Sequence, residues 1–333
     1  MRYFNYSYHA VCPVCGNSEN KLLYKVSAKE AANHFLVTQN INHVKPEIIE
    51  DKIARLWKTQ EAAVVACNTC QFTFADPFIA GDYEFYNLLP HAGANDRENW
   101  KWEFSKTLKK IKEFREEGND LNLIEIGAST GDFVKRVAGV IPVNKIFCLE
   151  HSEIGVGSIR KAGIEAHSWN FHELQKKKEY LNKFNVICLF QVLEHLDNLA
   201  DTFNVFNAIS KEDAHLFIGV PNGRKIRFNE LNNALLDMPP NHIGRFNKKS
   251  FEFLGNKYGW KTEEIAVEPF TPLDVMKTVM YYQSLKRAQF PMEGETTWSR
   301  IRQYVQIKNM RLQSIVKHKQ LGDTLWVHYR KVV

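Results

Sequence analysis

The sequence predicts an α/β protein built on a mainly parallel sheet, and three observations carry that expectation. From Leu121 onward, short apolar runs alternate with amphipathic stretches, the pattern of a parallel sheet covered on both faces. The first run, Leu121 to Ile126, contains Glu125 and passes through Gly127, Ala128, Ser129 and Thr130 to Gly131, where a helical pattern opens. Small residues between two glycines let a backbone turn tightly and approach a ligand closely. Finally, 333 residues that are 44% hydrophobic and 25% charged suit one large core with smaller additions.

The N-terminal part reads differently. Cys12-Pro13-Val14-Cys15-Gly16 and Cys67-Asn68-Thr69-Cys70 are two C-x-x-C units. Each can present two thiolates from one tight turn, and two such turns complete a tetrahedral, structural zinc site. A redox dithiol fits less well because neither pair opens a βαβ unit, and incidental core cysteines fit less well because both pairs share the spacing. Four cysteines leave no open coordination position, so this metal would stabilise rather than catalyse. The segment between the pairs reads as helical around Ser27 to Phe35 and Pro46 to Trp57, an excursion clamped at its base. After the second pair come FTFADPF and the aromatics Tyr83, Phe85, Tyr86, Trp100, Trp102 and Phe104. They serve either as packing between domains or, through Tyr83 or Tyr86, as part of a lid.

Beyond Leu121 the expected strands are Leu121 to Ile126, Ile146 to Glu150, Ile164 to His167, Val186 to Phe190 and His215 to Val220. Helices are expected at Asp132 to Val140, Glu153 to Lys161, after Phe171, and at Leu199 to Ile209. Cys148 and Cys188 sit in apolar runs and read as buried thiols. In such sheets a ligand lies at the carboxyl ends of the strands. Glu150 ends the second strand, where a carboxylate can accept hydrogen bonds from both hydroxyls of a ribose, and Ser152 can cap the next helix. Trp169-Asn170-Phe171 offers an amide and aromatic surface after the third strand.

The spacing E-x-G-x-x-x-G differs from the G-x-G-x-x-G of dinucleotide-binding enzymes, so a pyrophosphate on a helix N-terminus is not the favoured ligand. Taken alone, the segment could also be an ordinary tight turn. It resembles motif I of the class I S-adenosylmethionine-dependent methyltransferases. Phe190-Gln191-Val192-Leu193-Glu194-His195-Leu196 resembles that family's LEH segment, and Phe217-Ile218-Gly219-Val220-Pro221-Asn222-Gly223 its PN segment. These motifs occur in the family's order, and the resemblance covers Leu121 to Trp260. It implies a Rossmann-like seven-stranded methyltransferase sheet whose last strand, Asp323 to Lys331, inserts antiparallel beside a sixth at Lys261 to Val267. It implies S-adenosylmethionine as cofactor, held by Glu125, Gly127, Ala128, Ser129, Gly131, Glu150, Asn170 and Gln191.

Methyl transfer needs in-line alignment and, for a protonated nucleophile, a base. Histidine suits that task near neutral pH. His195, beside Glu194, and His242, in Met238-Pro239-Pro240-Asn241-His242-Ile243-Gly244-Arg245-Phe246, are the candidates, and Glu194 joins them in the catalytic set. The second segment lies where sugar C-methyltransferases, which also carry a cysteine-rich zinc-binding N-terminal region, have Y-H-E-H. Only the final histidine is kept here. Loss of the neighbouring acid and tyrosine favours an O-methyltransferase, and PPNH resembles the P-P-H-H of related enzymes in glycan-modifying pathways. Arg224, Arg227 and Arg245 are candidate anchors for an anionic substrate group.

The sequence thus divides into a zinc-binding region with helical insertion (1–80), an aromatic-rich linker or lid and a helix (81–119), the cofactor domain (120–270) and a helical cap with the closing strand (271–333). The stretch from Pro272 to Gln320, with Tyr281, Tyr282 and Trp298, is too long for a simple connection and serves as a cap over the substrate or as a homodimer surface. Lys and Arg number 44 against 38 Asp and Glu, a net charge of +6 spread over helix faces such as Lys109 to Lys112. No nucleic-acid partner is implied, because acidic residues interrupt the basic runs. With no apolar run long enough to span a bilayer and no signal-peptide stretch, the expected location is cytoplasmic. The expected activity is O-methylation of a small molecule, a sugar, nucleotide sugar or surface-glycan precursor. The alternatives are C-methylation of a nucleotide-linked deoxyketosugar and a zinc-knuckle protein that binds or modifies RNA.

Overall fold

The computed structural model describes residues 6–38, 44–89, 100–231, 237–284, 308–309 and 315–332, with the single residues 305 and 312. The chain forms two compact units, each assembled from separated segments. Unit one comprises Met1–His91, Pro221–Asn247 and Val267–Asp323; unit two comprises Ala92–Val220, Lys248–Ala266 and Thr324–Val333. No helix among the described residues is long and apolar enough to cross a membrane.

Unit one is built on an antiparallel sheet. Strands β1 (Ser7–His9), β2 (Glu19–Ser27), β3 (Glu61–Cys67), β4 (Thr73–Asp76) and β10 (Gly244–Arg245) lie side by side in that order. Strand β2 alternates exposed and buried residues, so one face carries Tyr24 and Val26 into the core. Between β2 and β3 run α1 (Ala28–Thr38) and α2 (Pro46–Trp57), the expected helical excursion. The first is started by Ser27 and Glu30, whose side chains each take the other's backbone N–H, at 2.8 and 3.2 Å. The second begins with Pro46 and buries Ile49, Ile53 and Trp57, one residue per turn, against Tyr24, Val26 and Val64. The unit also holds α3 (Tyr83–Leu88), α8 (Gly223–Leu231) and α10 (Pro272–Ser284).

Unit two carries the seven-stranded sheet that the sequence led us to expect. Strands β5 (Leu123–Ile126), β6 (Ile146–Leu149), β7 (Glu165–His167), β8 (Phe184–Phe190), β9 (Ser210–Pro221), β11 (Trp260–Val267) and β12 (Thr324–Lys331) are ordered β11-β12-β9-β8-β5-β6-β7. The five from β7 to β9 pair in parallel, and the last strand in sequence lies between β9 and β11. Helices α4 (Trp102–Glu116), α5 (Asp132–Val137), α6 (Glu153–Lys161), α7 (Leu199–Ile209) and α9 (Lys248–Tyr258) complete the unit. Cys148 and Cys188 are fully buried, as expected, and both stand level with Glu125 in the ladder.

Three elements differ from expectation. Helix α5 stops at Val137 rather than Val140, because Gly139 and the β-branched Val140 precede Pro142 and the chain closes with short turn bonds instead. The stretch after Phe171 is a tight 3-10 turn, Phe171–Lys176, opened by the Asn170 side chain. Strand β9 begins five residues early, directly at the end of α7, and bulges against β8. The aromatic-rich segment is shared out: Phe85 and Tyr86 pack in the core of unit one, while Trp100, Trp102 and Phe104 pack in that of unit two. Tyr281, Tyr282 and Trp298 lie outside the residues whose side chains are described.

One buried polar pair sits in this sheet. His215 Nδ1 lies 2.9 Å from His328 Nε2, with the Phe114 ring stacked 4.1 Å over His215. Burial pushes His215 down to about 4, with Arg330 helping and Glu263 and Asp213 opposing. Burial likewise pushes His328 down to about 3, aided by His215, Lys110 and Lys106. The unfolded chain therefore takes up protons that the folded one refuses below pH ~6.5. Stability is expected to be full above that pH and to fall as pH drops through the window, by at most ~1.4 kcal/mol per unit and histidine. Chemical denaturation between pH 7 and pH 4 of the His215→Leu/His328→Leu double variant should show a shallower acid loss than the natural protein. An identical slope would mean the pair does not carry it.

Candidate functional site

The parallel strands of unit two bring a set of backbone turns to their carboxyl ends. Glu125, in β5, is 2% exposed, and its Oε2 has no hydrogen-bond partner among the described residues. Burial drives its carboxyl well above the ordinary range. The following turn needs its glycines: Gly127 and Gly131 have φ of 76° and 84°, and Ser129 takes the same left-handed region at 50°. A Cβ at Gly127 would stand 2.4 Å from Val192 Cγ2, so the approach of the LEH segment also excludes a side chain. The Gly127 and Ala128 amides both donate to the Leu149 carbonyl, at 2.8 and 3.2 Å, tying the turn to the end of β6.

Glu150 follows directly. Its two carboxylate oxygens accept from the Ser129 amide at 2.6 Å and the Ser152 amide at 2.9 Å. Ser152 caps α6 through the Gly155 amide, as expected. A Cβ at Gly155 would come within 2.4 Å of the Ser129 carbonyl, a second place where the turn leaves no room for a side chain. Asn170 spends its side-chain oxygen on the His172 amide, and Trp169 stacks on His167 at 3.9 Å with Lys177 over its ring. Gln191, at φ 60°, donates its amide to the Gly219 carbonyl and its side-chain N–H to Glu103 Oε1, 3.1 Å away.

Glu103 was not foreseen. It is 1% exposed on the buried face of α4 beside Phe104, Thr107 and Ile111. A carboxylate interrupting an apolar helix face was the signal that could have found it. On the next turn, Glu194 is 1% exposed and lies 3.9 Å from His195 Nε2.

His242 belongs to unit one. Its Nδ1 lies 2.8 Å from Asp237 Oδ1, with both side chains mostly buried. The loop between them is fixed: the Asn241 and His242 amides bond the Met238 carbonyl, Met238 is buried, and Gly81 donates to the Pro240 carbonyl. The acid and tyrosine of the segment are absent, but Asp237, five residues upstream of His242 and marked by no motif, brings a carboxylate to it. A correction concerns Arg245, expected as an anion anchor: it is 4% exposed, and its Nη2 is engaged by Glu230, Tyr24 and the Asp237 carbonyl. Arg224 bonds Gln320, and Arg227 lies 3.9 Å from Glu230.

Also in unit one, the four paired cysteines converge. Their sulfurs all lie within 4.8 Å of one another, with Cys12 and Cys70 3.5 Å apart and Cys15 and Cys67 likewise. A tetrahedron with metal–sulfur bonds of ~2.3 Å has edges of ~3.8 Å, so the four thiols fit a zinc ion. The two turns share one construction. Gly16 and Gln71 both have positive φ, both donate their amides to the carbonyl of their turn's first cysteine, and the amides of Cys12 and Cys67 bond the carbonyls of Asn17 and Phe72.

Residues 97–265, just over half of the chain, match the family model of a methyltransferase domain. The chain belongs to this methyltransferase family, and it is an enzyme of methyl transfer. Among solved structures, it is similar to a SAM-dependent methyltransferase from Archaeoglobus fulgidus, at 11% identity over 75% of this chain and 100% of that one, with a TM-score of 0.45. It is also similar to the N-methyltransferase NodS of Bradyrhizobium japonicum bound to S-adenosyl-L-homocysteine, at 12% identity over 72% and 93%, with a TM-score of 0.40. The family assignment stands on the match over 97–265, and TM-scores below 0.5 add nothing to it. No curated protein matches the chain.

The buried Glu125 makes a testable difference. Its folded carboxyl keeps a proton at pH values where the unfolded one, with an ordinary value of 4.5, has lost it. Folding therefore loses stability from Glu125 as pH rises above that value. Glu125→Gln is expected to flatten the fall in stability measured by urea unfolding between pH 5 and 8. A variant whose pH profile superimposes on that of the natural protein would contradict the burial argument.

Proposed function

We propose that this methyltransferase uses S-adenosylmethionine and acts on a hydroxyl of a small molecule: a sugar, nucleotide sugar or surface-glycan precursor. The observation that carries the acceptor chemistry is the Asp237–His242 pair at 2.8 Å. S-adenosylmethionine, when bound, supplies a methyl group on a sulfonium sulfur. In unit two, Glu150 would hold the ribose diol, and Asn170 the adenine. Glu125 and Gln191 would serve the charged end, while Gly127, Ala128, Ser129 and Gly131 give the backbone room to pass. The orphaned Glu125 oxygen and the turn that admits no Cβ support that fit.

In unit one, Asp237 accepts the Nδ1–H of His242, which makes Nε2 the basic nitrogen. His242 Nε2 would take the proton that an acceptor hydroxyl loses on methylation, and the donor, when bound, would supply the methyl carbon and keep the carbon–sulfur electron pair on sulfur. Asp237 stabilises the resulting imidazolium. Glu194 and His195 are proposed as proton-handling groups of unit two. Because an acid does accompany the histidine, C-methylation of a nucleotide-linked deoxyketosugar remains the second reading. Carbon NMR of the product distinguishes an O-methyl from a C-methyl group.

The test is a screen of nucleotide sugars and glycans with isotopically labelled donor. On whichever acceptor is found, His242→Ala is expected to lower turnover at least ~100-fold. Its affinity for S-adenosylhomocysteine, read by calorimetry, should stay within about twofold, the mark of a group that acts on the proton and not on the donor. Unchanged turnover removes His242 from the mechanism.

The four cysteines are proposed to hold one structural zinc. Elemental analysis of protein prepared without chelators is expected to find about one equivalent, and a strong chelator to lower the melting temperature. Less than about half an equivalent counts against the assignment.

A further inference from the structure

Three side chains from distant parts of unit one meet in its interior. Tyr24 on β2 is fully buried, while Glu230 on α8 and Arg245 on β10 are 5% and 4% exposed. Tyr24 Oη donates to Glu230 Oε1 at 2.5 Å; Arg245 Nη2 donates to Tyr24 Oη at 2.7 Å and lies 2.7 Å from the same Glu230 oxygen. Arg227 lies 3.9 Å from the other carboxylate oxygen. Burial opposes the charge on Arg245, and Glu230, Tyr24 and Asp237 together outweigh it. A buried ion pair is weak evidence for stability, since desolvation offsets much of its attraction, and often marks a demand for one specific arrangement.

The same guanidinium nitrogen makes one bond that leaves the network. Arg245 Nη2 donates to the main-chain carbonyl of Asp237 at 2.9 Å, and Tyr24 Oη lies 3.8 Å from the sulfur of the adjoining Met238. Asp237 is the residue whose carboxylate meets His242. We propose that Arg245, held in place by Glu230 and Tyr24, is a positioning residue that fixes Asp237 and, through it, the ring orientation and proton position of His242. This inference rests on the reading of His242 as the base. It also explains why a guanidinium is used rather than an ammonium: one planar group must serve a carboxylate, a phenol and a carbonyl at once.

The test uses the full chain with S-adenosylhomocysteine present. In the natural protein, nitrogen-detected NMR of the His242 ring, assigned with His242→Asn, is expected to show a protonated Nδ1. In Arg245→Lys the ring should lose that single tautomer, and kcat on the acceptor should fall about 10- to 100-fold with S-adenosylhomocysteine affinity unchanged. Asp237→Asn should give the same spectroscopic signature, and the double variant should be no slower than Asp237→Asn alone, because the two act in series. Tyr24→Phe, which removes one hydroxyl and keeps the ring, gives the same shift in smaller degree and serves if Arg245→Lys does not fold. A folded Arg245→Lys or Tyr24→Phe with the His242 signals and titration unmoved overturns the proposal. If the signals move but His242→Ala keeps full turnover, the positioning holds and the reading of His242 as the base falls.

Discussion

The parallel register of β5 with β6 and β8 is the constraint on which the site of unit two depends. Glu125 stands opposite Cys148 on one side and Cys188 on the other, so the three strands end together. A slip of one residue would turn Glu125 to the opposite face and part Gly127 from Leu149, because side chains alternate along a strand. The apolar runs resist that slip. Leu123 and Ile124 are fully buried, as are Val186 to Leu189 on the neighbouring strand, so both faces of the sheet are committed. Hence Gly127, Glu150 and Gln191 emerge at one edge as three consecutive turns, each fastened to its neighbour by a backbone carbonyl: Leu149, His167 and Gly219.

Unit one reaches its own rigidity by a different route. Its sheet is antiparallel and thin, and α1 and α2 interrupt the hairpin that should hold it together. The four thiols gather where the open ends of that hairpin arrive, with Cys67 closing β3 and paired with Asn20 of β2. The β2–β3 ladder runs from Ser27 and Glu61, where the helices leave, to Asn20 and Cys67 at the cysteine end. Strand β4 then carries the order onward, since Phe74 and Thr73 pair with Gly244 and Arg245. The cysteine turns and the buried arginine are thus linked through successive strands of one sheet, from β3 through β4 to β10.

Much of unit two was legible because its signals are local. Apolar runs gave the strands, Ser152 the start of α6, and the paired glycines a turn whose backbone excludes side chains. The family resemblance also placed the last strand beside β11, which no local pattern could have done. What stayed hidden involves long-range partners. Gln71 does the work of a glycine, taking φ 60° where the first cysteine turn uses Gly16, and its side chain gives no sign of it. Asp237 carries no motif, and its role follows only from the loop that folds it back on His242. Arg245 looked like a surface anchor because its partners, Tyr24 and Glu230, are far away in sequence and nothing local predicts their meeting. Trp169 was offered to a ligand but stacks on His167, a choice made by the neighbouring strand end.

The central claim, that the turn from Gly127 to Gly131 and its neighbours receive S-adenosylmethionine, is tested most directly by photochemical labelling. Ultraviolet irradiation of the full protein with methyl-tritiated donor, followed by tryptic mapping, should place the label on one or more of peptides 116–135, 146–160 and 184–211. An excess of S-adenosylhomocysteine should abolish it. Label that survives the competitor, or that falls only on peptides from residues 1–91, would contradict the account.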